Sequence, residues 1–348
     1  MQSTLFHVPL RLAIGPWSVP LFGWGLLLVA WAIVGAAWLA VLARRHGPRA
    51  AVAAAGVPLG ILGAMILWGL PAIAADSGIP VRGYGVMLLL AAAAGTWLSV
   101  VRGRAAGFDA DTILSLGLEI FLWGLVGARI FFVAEYHEEF FADGLMAAIP
   151  RILNIAAGGL VVFGALPTAA VAAWWFARRR GLPLLKLADC IAPGLLVGLA
   201  LGRVGCFLNG CCYGGPTDLP WGVRFPPQSP PWLDQAARGL LPPPTPAAGR
   251  PPWSLPVHPA QLYAAFDAAL LAVVTGLFGG VARRDGEVFA LALTLHPLSR
   301  ILLEAIRVDE PPAFGTPLSI SQLVSVVLLV LAAGLWWFIA RQPPRDAV

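Results

Sequence analysis

Charged residues are scarce in this sequence of 348 residues: Asp, Glu, Lys and Arg make up 12% of it, against 59% hydrophobic residues. A soluble domain of this size could not keep so much apolar surface from water, so the composition predicts an all-α, polytopic membrane bundle. The formal net charge of +5 does not indicate nucleic acid, because the basic residues lie in short loops between apolar spans.

Two further absences narrow the class of protein. Residues 1–19 lack a basic segment followed by a short apolar one, so we expect no cleavable signal peptide. Only four cysteines are present, and three of them cluster, which does not make a disulfide framework by number alone. We also expect no cofactor.

Nine apolar stretches are long enough to cross a bilayer, with basic residues following every odd-numbered one. The positive-inside rule therefore places the N-terminus outside and the C-terminus in the cytoplasm. The Pro- and Gly-rich segment 206–258 then forms an irregular cap on the outer face, with a flexible portion near 235–250. The nine predicted spans are 18–43, 50–75, 84–102, 112–134, 156–177, 187–205, 260–280, 286–306 and 317–341.

Residues 20–25 and 80–85 share the pattern Pro-x-x-Gly-aromatic-Gly. Either this is coincidence in Gly-rich helices or it reflects a duplication. In the second case residues 1–77 are an extra two-helix unit, a degenerate repeat of 78–137, and residues 78–348 carry the function.

A polar stripe crosses the eighth span. His296, Arg300, Glu304 and Arg307 follow one another at intervals of four, four and three residues, which aligns them on one helix face. Such a face must point into the bundle or an aqueous cavity, because exposure to lipid costs too much. A purely structural ion pair involving Glu304 is the alternative interpretation.

Two more arginines lie near the outer ends of spans, Arg203 in the sixth and Arg129 in the fourth. Several arginines inside a membrane on the same side favour recognition of an anionic group. Guanidinium groups suit bidentate contacts with phosphate, so the sequence predicts a phospholipid ligand.

Polar residues also mark the outer ends of other spans. His258, Gln261 and Tyr263 open the seventh span, and they form either a structural helix entry or hydrogen bonds to a lipid headgroup or one another. Tyr84 is either an interfacial residue or a phosphate ligand.

The stretch 202–214 combines glycines with Arg203, Asn209 and three cysteines. The cysteines leave several alternatives open. They pack as small residues in a tight turn, or Cys206 forms a disulfide with Cys211 or Cys212. A catalytic thiol is a third option. Zinc bound by all three cysteines with His258 is a fourth, but the spacing is atypical and we expect no metal.

These motifs resemble, in the same order, those of the bacterial prolipoprotein diacylglyceryl transferase family, from about residue 78 to 341. The departures are Cys206 and Cys211, where the family signature has Asn and Glu, Phe163 where it has His, and His296 where Tyr is common. The matching motifs are Gly83-Tyr84-Gly85, Gly127-Ala128-Arg129, Gly158-Gly159, Gly202-Arg203-Val204-Gly205, His258-Pro259-Ala260-Gln261-Leu262-Tyr263 and the set Arg300, Glu304 and Arg307.

The resemblance implies a transferase of the bacterial inner membrane with its site near the outer leaflet. It would transfer the diacylglyceryl group of phosphatidylglycerol to the lipobox cysteine of a prolipoprotein signal peptide. Its expected partners are therefore phosphatidylglycerol, other membrane lipids and that signal peptide. The implied catalytic residues are Arg203 and Arg300, with His296 as a substitute base. The implied substrate-binding residues are Tyr84, Arg129, Asn209, His258, Gln261, Tyr263, Glu304 and Arg307.

Two other functions stay open at this stage. A non-catalytic or substrate-shifted phospholipid-binding paralogue fits the replaced family residues. A membrane thiol-redox protein fits the cysteine cluster, and it would depend on those cysteines rather than on the arginines.

Overall fold

In the computed structural model, the chain forms two compact units, Met1–Val86 and Met87–Val348. The structure describes residues 4–14, 17–74, 78–155, 158–241, 251–308, 313 and 315–344. Most of the segment predicted to be flexible lies outside these residues. Residues 235–237 end a short helix, and 242–250 are not described.

The first unit contains short strands that the sequence did not indicate. β1 (Thr4–Val8) pairs antiparallel with β4 (Ile79–Arg82), and β2 (Arg11–Ile14) pairs antiparallel with β3 (Trp17–Pro20). The predicted start of the first span at residue 18 is therefore wrong. Pro20 cannot continue a helical hydrogen-bond pattern, and its segment is extended instead.

Two helices follow in the first unit. α1 (Leu26–His46) ends at Gly47, and α2 (Pro48–Ala64) begins with proline at its first position, where the missing N–H costs nothing. α2 continues through a π-helical turn (Met65–Gly69) into α3 (Leu70–Ile73).

The second unit is a helical bundle. Its elements in chain order are α4 (Gly83–Ala105, which begins in the first unit), α5 (Ala110–Glu135), α6 (His137–Phe141), α7 (Leu145–Leu153), α8 (Val162–Arg180), α9 (Leu184–Asn209), α10 (Pro230–Ala237), α11 (Ala260–Phe278), α12 (Glu287–Glu304) and α13 (Ile320–Ala340).

Helices occupy all nine positions at which a span was predicted. Seven of the described helices are long and apolar enough to cross a membrane: α1, Pro48–Ala72, α4, α5, α9, α11 and α13. The other two, α8 and α12, carry more charge, with three arginines at the end of α8 and a polar stripe along α12. The prediction of a multi-pass helical membrane protein is confirmed.

A buried carboxylate fixes the start of α12. Asp189 on α9 is 4% exposed and accepts hydrogen bonds from the backbone N–H groups of Gly286 (2.8 Å) and Phe289 (2.9 Å). These N–H groups have no partner within the helix, and the positive end of the helix dipole favours the negative charge. α9 thus positions the helix that carries the polar stripe.

The cap between α9 and α11 is ordered around a small apolar core. Tyr213, Phe225 and Val257 are buried there together. The amide of Gln235 on α10 accepts a hydrogen bond from the Leu255 N–H at 2.7 Å, which ties α10 to the segment that leads into α11. The predicted irregular cap therefore contains one short helix, α10.

Close contact between α5 and α8 depends on small residues. A Cβ added at Gly127 would lie 2.5 Å from the carbonyl oxygen of Gly164 and would also overlap the side chain of Thr168. Backbones approach this closely in membrane bundles only where side chains are small.

We expect Gly127→Ala to lower the free energy of unfolding by about 1–3 kcal/mol, because the new methyl group overpacks this contact. Thermal unfolding in detergent measures the change. Gly117→Ala on the same helix is the matched control, since its Cβ would meet nothing within 4 Å. Equal effects of the two substitutions would contradict the close contact.

Candidate active site

A buried carboxylate joins two arginines of the polar stripe. Glu304 contacts Arg300 at 2.8 Å and Arg307 at 3.6 Å, and the three side chains are only 4%, 12% and 6% exposed. Charges this deeply buried are tolerated only when paired. The stripe therefore faces the bundle, as predicted, and Glu304 does form the ion pair that was the structural alternative.

Two serines at the start of α13 complete this group, and the sequence did not single them out. Ser319 caps α13 and donates a hydrogen bond to Glu304 Oε1 at 3.0 Å. Ser321 Oγ accepts a hydrogen bond from Arg300 Nη2 at 2.9 Å. A serine three residues before Gln322, at the head of an apolar span, is the capping-box pattern that could have indicated Ser319.

The loop that follows α9 is held by backbone hydrogen bonds to residues next to the start of α11 and the end of α12. The N–H of Gly214 donates to His258 O at 3.0 Å, and the N–H of Gly215 donates to Ile306 O at 2.9 Å. A Cβ at Gly214 would lie 2.6 Å from the Cβ of His258, so only glycine allows this approach. The end of α9, the start of α11 and the end of α12 therefore meet.

The residues that open α11 mostly bind other parts of the protein. Gln261 is 1% exposed and donates from Nε2 to the carbonyl of Cys211 at 2.6 Å. Tyr263 Oη accepts a hydrogen bond from Trp221 Nε1 at 2.7 Å and lies 3.5 Å from Nδ1 of His258. Trp221, a cap residue, was not predicted.

Charged groups on three helices act on His296. The guanidinium groups of Arg203 (α9) and Arg300 and the carboxylate of Asp267 (α11) all act electrostatically on its imidazole. Asp267 also accepts a hydrogen bond from Ser299 Oγ at 2.7 Å. Asp267 was not predicted, although a single acidic residue inside an apolar span is itself a signal of function.

Two groups in this region lack partners among the described residues. Nδ1 of His296 is buried and makes no hydrogen bond there. Arg203, which is partly buried, has neither a hydrogen bond nor an ion pair with the part of the chain that the structure describes. A cation without a counter-charge in an apolar bundle is the expected setting for an anionic ligand.

Arg129, unlike Arg203, makes many hydrogen bonds within the protein. Its guanidinium is 7% exposed, lies over the rings of Phe132 and Phe140, and donates to five backbone carbonyls. An arginine has five N–H donors, so a phosphate would have to displace one of these bonds. The carbonyls belong to Arg151 (2.6 Å), Ile152 (2.9 Å), Asn154 (3.2 Å), Gly158 (2.8 Å) and Gly159 (2.8 Å).

Two predicted headgroup residues are exposed. Asn209 is the last residue of α9. Tyr84, at the start of α4, is 40% exposed and belongs to the first compact unit. Their binding of lipid stays a prediction.

The three clustered cysteines are free thiols. The Sγ atoms of Cys206, Cys211 and Cys212 all lie within 4.8 Å of one another. Hydrogen bonds from the Cys206 and Cys212 thiols favour the thiolate of Cys211 and lower its pKa. Cys190 is buried elsewhere on α9 and approaches the carbonyl of Arg102 at 3.9 Å.

We expect Glu304→Gln to lower the free energy of unfolding by about 3–5 kcal/mol, because it removes the negative charge that two buried guanidinium groups share. Denaturant unfolding in detergent measures this loss. Glu119→Gln is the matched control: its pair with Arg179 at 2.7 Å is largely exposed. Removing an exposed pair costs about 0–1 kcal/mol. Similar losses in both variants would contradict the structural role of Glu304.

We expect Arg129→Ala to loosen residues 151–154 and 158–159, since it removes every hydrogen bond that the guanidinium makes there. Each bond to a charged donor contributes about 1.5–3 kcal/mol. Hydrogen exchange of the amides of Asn154 and Gly158 should be at least about tenfold faster. Arg104→Ala, at the exposed end of α4, should leave it unchanged. Unaltered exchange in Arg129→Ala would contradict this role.

Comparison with known proteins agrees with the motifs. The family model described as prolipoprotein diacylglyceryl transferase matches residues 71–338. Three phosphatidylglycerol–prolipoprotein diacylglyceryl transferases are similar to the chain. The one from Rhodopirellula baltica is 30% identical and covers 74% of this chain and 72% of its own length. The one from Gloeobacter violaceus is 29% identical (80% and 96%), and the one from Clostridium tetani is 27% identical (73% and 91%). The chain belongs to the prolipoprotein diacylglyceryl transferase family.

Proposed function

We propose that the protein transfers the diacylglyceryl group of phosphatidylglycerol to the lipobox cysteine of prolipoproteins and releases glycerol phosphate. The observation that carries this proposal is Arg203, a partly buried arginine that forms no hydrogen bond or ion pair with the described residues and that, like Arg300, acts electrostatically on His296. The names of the family and of its relatives supply the substrates.

The reaction places most of its charge on the leaving group. A cysteine thiolate attacks a glycerol carbon, a C–S bond forms, and the C–O bond to phosphate breaks with its electron pair on the phosphate oxygen. Cations held in place before the reaction stabilise that charge most effectively, because they need no reorganisation. We assign this role to Arg203 and Arg300. Arg307 supports them through the carboxylate that it shares with Arg300.

The thiol must lose its proton before it attacks, because the thiolate is the nucleophile. We assign the base to His296, whose buried Nδ1 has no hydrogen-bond partner in the described part of the chain. The carboxylate of Asp267 acts electrostatically on the same imidazole. Glu304, with Ser319, orients Arg300 on α12 and Arg307 just after the end of that helix.

The remaining polar residues divide into two groups. We assign Asn209 to oxygen atoms of the lipid headgroup, because it is exposed at the end of α9. Gln261 and Tyr263 already have protein partners, so we assign them a positioning role. Gln261 holds the loop that contains Cys211, and Tyr263 holds His258 at the start of α11. Arg129 supports the site indirectly by ordering the segment that it binds.

For the protein in its membrane we propose an outer N-terminus, a cytoplasmic C-terminus and a site near the outer leaflet of the bacterial inner membrane. The arginines at the ends of α1, α4 and α8 support this orientation. We further propose that residues 78–348 catalyse the reaction and that residues 1–77 are an added two-helix unit. The family match from residue 71 onward is consistent with this division.

We expect Arg203→Ala and Arg300→Ala each to lower transfer by about 100- to 1000-fold, the usual effect of removing one group that stabilises developing charge. Transfer is measured in vesicles containing phosphatidylglycerol, with a lipobox peptide as acceptor. The same variants should fail to complement a bacterial strain depleted of its own diacylglyceryl transferase.

Arg224→Ala is the matched control, because Arg224 is an exposed arginine of the cap. It should retain full transfer and complementation. Full activity in both Arg203→Ala and Arg300→Ala would refute the assignment. A wild-type protein that inserts well, binds phosphatidylglycerol and transfers nothing would instead indicate a lipid-binding protein.

A further inference from the structure

The three clustered cysteines are brought together by a specific turn. Cys206 lies in the last turn of α9, and Gly210 ends the helix with φ of +79°, which reverses the chain. The N–H groups of Gly210 and Cys211 both donate to the carbonyl of Cys206, at 2.9 and 3.2 Å. Cys211 and Cys212 therefore fold back over Cys206.

The backbone of this turn is held in an uncommon conformation. Cys212 has φ of +61°, in the left-handed region that non-glycine residues rarely adopt. Such strain persists only where the surroundings impose it, and it concentrates at functional sites. Here Gln261 holds the carbonyl of Cys211, and Gly214 and Gly215 are fixed to neighbouring segments.

The separation of the sulfur atoms suits a metal ion. Zn–S bonds of about 2.3 Å in a tetrahedral site require S–S distances of about 3.8 Å. The three Sγ atoms lie within 4.8 Å of one another, so they need to approach by about 1 Å at most. Among the described residues, His258 does not belong to this group, which leaves three protein ligands and one open position.

We propose that Cys206, Cys211 and Cys212 bind one Zn²⁺ and that its open position binds the thiol of the acceptor cysteine. The inference rests on the proposed function and deepens it. Three protein ligands with an open fourth position are the pattern of catalytic rather than structural zinc sites. This proposal differs from the expectation, drawn from the sequence spacing, that the cluster binds no metal.

Zinc coordination would supply the thiolate that thiol alkylation needs. A thiol bound to zinc loses its proton outright, and His296 accepts that proton and passes it to water. The zinc-bound sulfur then attacks the glycerol carbon, the C–S bond forms, and the C–O bond breaks with its electrons on the phosphate. Arg203 lies one helical turn before Cys206, so cations for the leaving phosphate and the attacking sulfur come from one end of α9.

Zinc binding is tested on the full-length protein, purified in detergent under reducing conditions, loaded with Zn²⁺ and desalted before elemental analysis. The wild-type chain should retain one zinc. Cys206→Ser and Cys211→Ser should bind it at least about tenfold more weakly, since even changes outside the ligand shell cost about 10- to 100-fold. Cys190→Ser is the matched control, because Cys190 lies outside the cluster, and it should bind zinc normally.

The open position is tested with Co²⁺ in place of zinc. Sulfur-to-cobalt charge-transfer absorption should increase when a lipobox peptide containing cysteine is added, and should not change with the serine version of the peptide. No change with either peptide would overturn the proposed role of the metal. If the serine variants do not fold, removal of zinc from the wild-type chain with 1,10-phenanthroline should lower transfer at least about tenfold, and added Zn²⁺ should restore it.

The experiments distinguish failure of the zinc site from failure of the proposed transferase function. A zinc-free chain, or one with a Cys206–Cys211 disulfide, that still transfers diacylglyceryl would overturn the zinc site and leave the transferase assignment standing. A chain that binds zinc and the peptide thiol but transfers nothing would support the site and contradict the assignment.

Discussion

The pairing of buried charge is the constraint on which the architecture of the second unit depends. The carboxylate of Glu304 pairs with both Arg300 and Arg307. It also accepts a hydrogen bond from Ser319, the N-cap residue of α13. Because buried charges are tolerated only when paired, this one side chain contributes both to the burial of the two arginines and to the packing of α12 against α13.

The same rule explains how each cation of the bundle is used. Arg129 has backbone carbonyls, Arg300 and Arg307 share a carboxylate, and Arg203 has neither within the described chain. All five N–H donors of Arg129 are used within the protein, Arg300 combines its ion pair with the proposed phosphate role, and Arg203 is the arginine most open to a ligand. In the sequence, each of these four arginines is simply a cation in or near an apolar span. Only the partners seen in the structure distinguish their roles.

Much of this fold is readable from the sequence, and the exceptions have physical causes. Apolar runs located a helix at each of the nine predicted spans, and the spacing placed His296, Arg300 and Glu304 on one face of α12. Arg307 was wrongly included in that face, because the helix ends at Glu304. β1 and β4 were missed because their residues pair across more than seventy positions, which no local pattern reveals. The carbonyl partners of Arg129 were missed for a similar reason: backbone acceptors are the same whatever the sequence. Asp267 was overlooked as an isolated polar residue, although its isolation in an apolar span was the clue.

Asp189 has a consequence for where the reaction takes place. It anchors one end of α9 to the start of α12, and Cys206 follows seventeen residues later on the same helix. At 1.5 Å per residue the two points are about 26 Å apart, close to the roughly 30 Å thickness of the hydrocarbon layer. In the proposed orientation, a helix of this length places the cysteine cluster at the boundary between acyl chains and headgroups, the level at which the glycerol of a phospholipid lies.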